Sequence, residues 1–152
     1  MPRFEIKTSG TLAARTGVVD RVFRAPKFSS GQMNEIANFA VQVIKERDAK
    51  GIDVLDQPAK PLQPKYAKRK AAKGLPAVRD ERFTGNMLGS IHVTEADETH
   101  ARVKIEGATP QKKAIFTQNI DPWFGLSNDD QGRVLNEKVR PIFAQNIEDA
   151  FK

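Results

Sequence analysis

Two histidines and one pair of adjacent carboxylates come nearest to reaction chemistry in this chain. His92 and His100 fall on two neighbouring alternating runs, both on the polar side, where two imidazoles facing each other would form part of a metal site. No third ligand accompanies them. The chain has no cysteine and no His-x-x-x-His pair for one helix face, so a zinc site is not expected. Asp129 and Asp130 are neighbouring acids, but they follow Ser127 at the start of an expected helix, where backbone N–H groups and the helix dipole favour carboxylates for structural reasons. No nucleophile elbow, phosphate-binding loop or dinucleotide fingerprint occurs. The residues therefore read as a protein without an active site, metal or cofactor.

The charge is more informative. Between Lys60 and Arg82 stand eight basic residues, Lys60, Lys65, Lys68, Arg69, Lys70, Lys73, Arg79 and Arg82, against two acids, Asp80 and Glu81. That local excess equals the +6 of the whole chain, so the rest of the sequence is balanced. A localised positive field seeks a polyanion or an acidic protein surface. Three readings stay open: phosphate neutralisation with steep salt dependence, docking on an acidic neighbouring subunit, or a solvated charge run. Aromatic interleaving, which single-strand binders use for stacking, is limited to Tyr66 and Phe83, which argues against dedicated sequence-specific binding. No helix-turn-helix or other reader motif is visible.

At 152 residues the chain is expected to form one domain, 1–152, with one moderate core. The absence of cysteine makes it indifferent to redox compartment. The start lacks the apolar centre of a signal peptide, and no run approaches the roughly 20 apolar residues that span a bilayer. The expectation is a soluble protein with no membrane association.

The periodicities outline a small α+β fold: an antiparallel sheet packed with a long helix and a C-terminal helix, plus a long basic loop. Residues 3–8 alternate, with Phe4, Ile6 and Thr8 opposite Arg3, Glu5 and Lys7, as in a strand. Val18, Val19, Val22 and Phe23 read as a second strand or a helical turn, ended by Pro26. Ser29 and Ser30 offer capping oxygens to a helix from about Gly31 to Lys50, whose apolar residues recur three and four apart and which Gly51 closes. Residues 57–83, rich in proline, read as an extended basic loop or arm, with two turns of helix over Tyr66–Ala72. Thr84 caps a short helix over Gly85–Gly89. Ile91 to Thr94 and His100 to Ile105 then alternate around Asp97 as an antiparallel hairpin. Thr109-Pro110 opens a helix carrying Ala114, Ile115 and Gln118. Ser127 opens the last helix, along which Val134, Leu135, Val139, Ile142, Phe143, Ile147 and Phe151 form an apolar stripe and which Pro141 should kink or split. Trp123 and Phe124, just before it, either staple that helix to the core or stand exposed as interface anchors.

The central segment resembles bacteriophage tail-completion and virion-morphogenesis proteins, small subunits of the head–tail joint. The resemblance rests on Tyr66, Ala67 and Lys70 in a "Tyr-Ala-x-x-Lys" segment, then a charged linker, then Thr84, Gly85, Met87 and Ser90 in "Thr-Gly-x-Met/Leu-x-x-Ser" before a hairpin. Phe124 to Asp130 is similar to the closing "Phe-Gly-Leu-Ser-x-x-Asp" signature. It spans roughly Leu62 to the C-terminus. The chain departs from many relatives in having Asp121-Pro122-Trp123 where an arginine-containing "Pro-x-Arg" precedes the aromatic.

The resemblance implies a virion structural protein at the neck or head-proximal tail end. Its partners would be copies of itself in a six- or twelve-fold ring and neighbouring neck, tail-tube or portal and adaptor proteins, with incidental contact to genomic DNA. It also implies that the basic arm orders on assembly, after a stay in the host cytoplasm. The alternative, from the charge alone, is a basic nucleic-acid-binding accessory protein.

Overall fold

The computed structural model describes residues 27–79, 86–120 and 122–152. The strand expected over residues 3–8, the valine-rich stretch before Pro26, the Thr84 cap and Arg82 lie outside them.

Helix α1, Ser30–Ala49, opens with a reciprocal capping box. Gln32 N–H donates to Ser29 Oγ at 3.1 Å, and Ser29 N–H donates to Gln32 Oε1 at 2.9 Å, so two of the amides a helix start leaves over find partners. The helix ends where the residue pattern requires. Gly51 takes φ +68°, its N–H returns to the Asp48 carbonyl, and the Ile52 N–H reaches back to that of Arg47. A Cβ at Gly51 would also press on Val78 at 3.0 Å. Ala37, Val41 and Ile44 form the buried stripe.

That stripe covers a two-stranded antiparallel sheet, β1 (Ile91–Ala96) and β2 (Ala101–Ile105). Ile91 faces Ile105 and Val93 faces Val103, which puts the aliphatic residues on the helix side and His92, Arg102 and Lys104 on the wet side. A bulge between Val93 and Glu95 leaves Thr94 and Glu95 both exposed and returns Ala96 to the inner side opposite Ala101. The connecting turn is held by Asp97, whose Oδ1 accepts from the N–H groups of Thr99 and His100, both at 2.7 Å.

Short helix α3, Asn86–Gly89, supplies Met87 and Leu88 to the core. Helix α4, Ala108–Ile120, starts one residue before the expected Thr109 and places Pro110 inside its first turn. The core combines Val41, Met87, Leu88, Ile91, Ala114 and Trp123, with Val93, Val103, Ile105 and Phe124 packed against it. The α+β architecture expected from the periodicities is the one observed.

The C-terminal part runs as α5 (Asn128–Val134), a π-helical turn (Leu135–Val139) and α6 (Arg140–Ala150). Pro141 has no N–H and crowds the preceding turn, so the ladder widens there: Arg140 N–H bonds Leu135 O, five residues back. The expected apolar stripe is only partly used. Val134 is buried, but α6 has no buried residue, and Leu135, Phe143 and Phe151 are exposed. Polar contacts tie this part to α1 instead. Gln32 and Asn146 exchange side-chain hydrogen bonds at 2.7 and 3.1 Å, and Lys138 pairs with Glu35 at 2.7 Å.

Candidate functional site

The two turns of helix expected over Tyr66–Ala72 are present in the basic segment. Residues Pro64–Ala71 form helix α2, with proline in its first turn where the missing N–H costs nothing. A glycine turn closes it: at Gly74, φ is +70°, and the Leu75 N–H returns to the Lys70 carbonyl at 3.1 Å.

The helix sorts its charges by face. Lys65, Lys68 and Arg69 lie on the outward face, continued by exposed Lys73. Tyr66, Ala67 and Lys70, spaced three and four apart, lie on the inward face.

Lys70 therefore corrects the reading of the run as one uniform contact surface. It is 1% exposed, and its Nζ donates to the Val78 carbonyl at 2.6 Å. A buried ammonium needs such partners, and here it fastens the returning chain to the helix. Arg79 also turns inward, donating from Nε to the Lys60 carbonyl at 3.1 Å and from an Nη to that of Pro61 at 3.4 Å. Lys60 itself is exposed at the start of the segment. Lys70 and Arg79 thus shape the segment, while Lys60, Lys65, Lys68, Arg69 and Lys73 face outward.

Trp123 is placed in the core, 3% exposed, which corrects its reading as an interface anchor. Its Nε1 donates to Thr117 Oγ1 at 3.0 Å, and Gln118 Oε1 accepts from the N–H groups of Trp123 and Phe124. Phe124 is half-buried, with its ring edge-on to the indole at 5.5 Å between centroids.

Sequence reasoning missed the residue that organises this corner. Arg47, on the last turn of α1, is 5% exposed and forms a buried ion pair with Asp130. The same guanidinium donates to the carbonyls of Trp123 and Gly125. Asp130 in turn accepts from Ser127 N–H, and Ser127 Oγ accepts from Asp130 N–H, both at 3.1 Å. Asp130 is therefore both capping residue and counter-ion, and a catalytic carboxylate pair with Asp129 has no basis in this geometry.

Asp56 extends the arrangement. It holds φ +59° in the turn after α1, and its Oδ2 accepts from Asp129 N–H at 3.3 Å. Hydrogen bonding to Ser127 and to the Asp129 backbone holds its carboxyl below the usual range. The signal available in sequence was the Ser127-x-x-Asp130 spacing of a capping box; nothing local marked Arg47 as its partner.

The two histidines do not meet. His92 lies opposite Lys104, while His100 belongs to the turn at the other end of the hairpin. Among the described residues no group of three or more His, Asp or Glu side chains is placed to hold a metal ion. No described helix is long and apolar enough to cross a membrane. No family model, curated protein or solved structure matches the chain.

Proposed function

We propose that this protein is a virion structural subunit of the phage head–tail joint, a tail-completion or neck ring component that makes its contacts through surface side chains and not through an active site. The observation that carries the reading is the set of large apolar side chains left on the surface beside a small, well-knit core. Ile115 and Phe116, adjacent on α4, are 65% and 67% exposed, and Leu135, Phe143 and Phe151 stand out along the C-terminal helices. Exposed apolar clusters favour protein partners. A ring built head to tail needs two different surfaces on each subunit, one for each neighbour. The α4 pair and the C-terminal helices are candidates for those two, and the outward lysines of α2 suit an acidic third partner. The "Tyr-Ala-x-x-Lys" and "Thr-Gly-x-Met" resemblance points the same way.

In vitro complementation tests the proposal. Purified protein added to an extract of a phage lacking this gene should restore infectious particles, and Phe116→Asp should fail to do so while remaining folded. An extract that is equally infectious without the protein would overturn it.

The outward face of α2 also supports the second reading. Lys65, Lys68 and Arg69 on one helix face can follow a phosphate backbone, with retention that falls steeply as salt rises.

A further inference from the structure

We propose that the exposed Ile115–Phe116 face of α4 receives the Leu55 loop of a second copy of this chain. The contact deepens the ring reading above and rests on it, by naming a matched pair of surfaces.

The Leu55 loop is braced from within. The Ala59 N–H donates to the Gly51 carbonyl and the Asp53 N–H to the Gln57 carbonyl, both at 2.8 Å, and Ile52 pairs with Pro58 across the loop. Asp53 is buried, and its Oδ1 accepts from the Leu55 and Gln57 N–H groups at 2.8 and 2.9 Å. The Val54 N–H donates to the Pro122 carbonyl at 2.9 Å, which fixes the loop to the body. On this turn Leu55 stands 67% exposed, as much as Phe116. Its backbone is already ordered, so docking it costs little further conformational entropy.

Charge selects the occupant. Residues 51–59 carry two acids, Asp53 and Asp56, and no base. Exposed Asp129 stands against the loop, its N–H donating to Asp56 Oδ2 at 3.3 Å. Helix α4 carries two bases, Lys112 and Lys113, and no acid. Both are exposed and precede Phe116 by three and four residues, one helical turn, so they flank the apolar pair. An apolar knob beside Asp56 and Asp129 thus matches an apolar patch beside two lysines. Two α4 faces brought together would oppose four lysines, and two Leu55 loops would oppose their carboxylates. Unlike surfaces of two copies therefore attract, and like surfaces repel.

The chain has no native cysteine, so mixtures of single-cysteine variants of the full chain test this. Gln57 and Asn119 are exposed neighbours of Leu55 and Phe116 and leave both apolar side chains in place when changed. Gln57→Cys mixed with Asn119→Cys and treated with a short bis-maleimide should give a crosslinked pair of chains. The yield should be several-fold above that of Gln57→Cys mixed with Gln145→Cys, which lies on α6. Adding Leu55→Asp to the first chain should cut the yield several-fold. Lys113→Glu on the second chain should also cut it, and Asp129→Lys on the first should then restore it. Equal yields at Asn119 and Gln145, no crosslink at the highest soluble concentration, or yields indifferent to Leu55→Asp and to the charge changes would overturn the proposal. Purified protein suffices for this readout, so a failed crosslink refutes the contact alone, whereas the phage role is judged on particles.

Discussion

Arg47 and Asp130, 83 residues apart in sequence, form one buried ion pair that joins the end of α1 to the start of α5. Both charges are out of water, and each has further partners: the guanidinium reaches the Trp123 and Gly125 carbonyls, the carboxylate the Ser127 N–H. Such a pair adds little net stability over a well-packed apolar alternative, but removing one partner strands a buried charge. Arg47→Met or Asp130→Ala should each lower unfolding free energy by about 3–5 kcal/mol. The double variant should lose clearly less than the two single losses combined, because the stranded charge is gone. Urea unfolding measures this, and strictly additive losses would contradict it.

Trp123 is the only tryptophan, and its indole lies in the core. Native fluorescence should be blue-shifted and resist acrylamide, then shift red in one step with unfolding. Trp123→Ala should cost about 3–5 kcal/mol through the cavity it leaves. Water-like emission from the folded protein would put the ring on the surface instead.

The two faces of α2 should respond differently to mutation. Lys70→Ala removes the donor to the Val78 carbonyl and the packing around a buried stem, and should cost about 1–3 kcal/mol. Lys65→Glu with Lys68→Glu lies on the outward face and should change stability by no more than about 0.5 kcal/mol. That same double change should abolish retention on a polyanion column at low salt. Calorimetry and column retention separate the two effects; comparable stability losses would contradict the division.

Acid should weaken the hairpin turn. Backbone hydrogen bonds from Thr99 and His100 hold the Asp97 carboxyl below its ordinary value. A carboxyl depressed in the folded state contributes stability that is fully present above its unfolded pKa, about 3.9, and is lost as pH falls through the folded value. Thermal unfolding followed from pH 6 down to pH 3 should therefore show a decline confined to its acid end. Asp97→Ala should be less stable at pH 6 and flatter below pH 4. A variant curve parallel to the parent's would remove Asp97 from the account.

What could be read from the residues was what neighbouring residues decide. The hairpin follows from alternation around Asp97, and α1 from three- and four-residue spacing between Ser29 and Gly51. Pro141 announced its disruption because a missing N–H is a property of one residue, although the answer, a π turn, depended on how the helix relaxed. Arg47 and Lys70 were illegible for the opposite reason. Each looks like an ordinary surface cation, and only a distant partner, Asp130 in one case and the returning Val78 carbonyl in the other, makes its burial affordable. The C-terminal stripe misled because apolar periodicity says that a face seeks cover without saying whether the cover comes from the same chain.

The most direct test of the central claim is electron microscopy of a lysate from a phage carrying an early stop codon in this gene. The account predicts filled heads beside separate, complete tails, with joined particles restored when the gene is supplied in trans. Normally joined, infectious particles in the absence of the protein would contradict it.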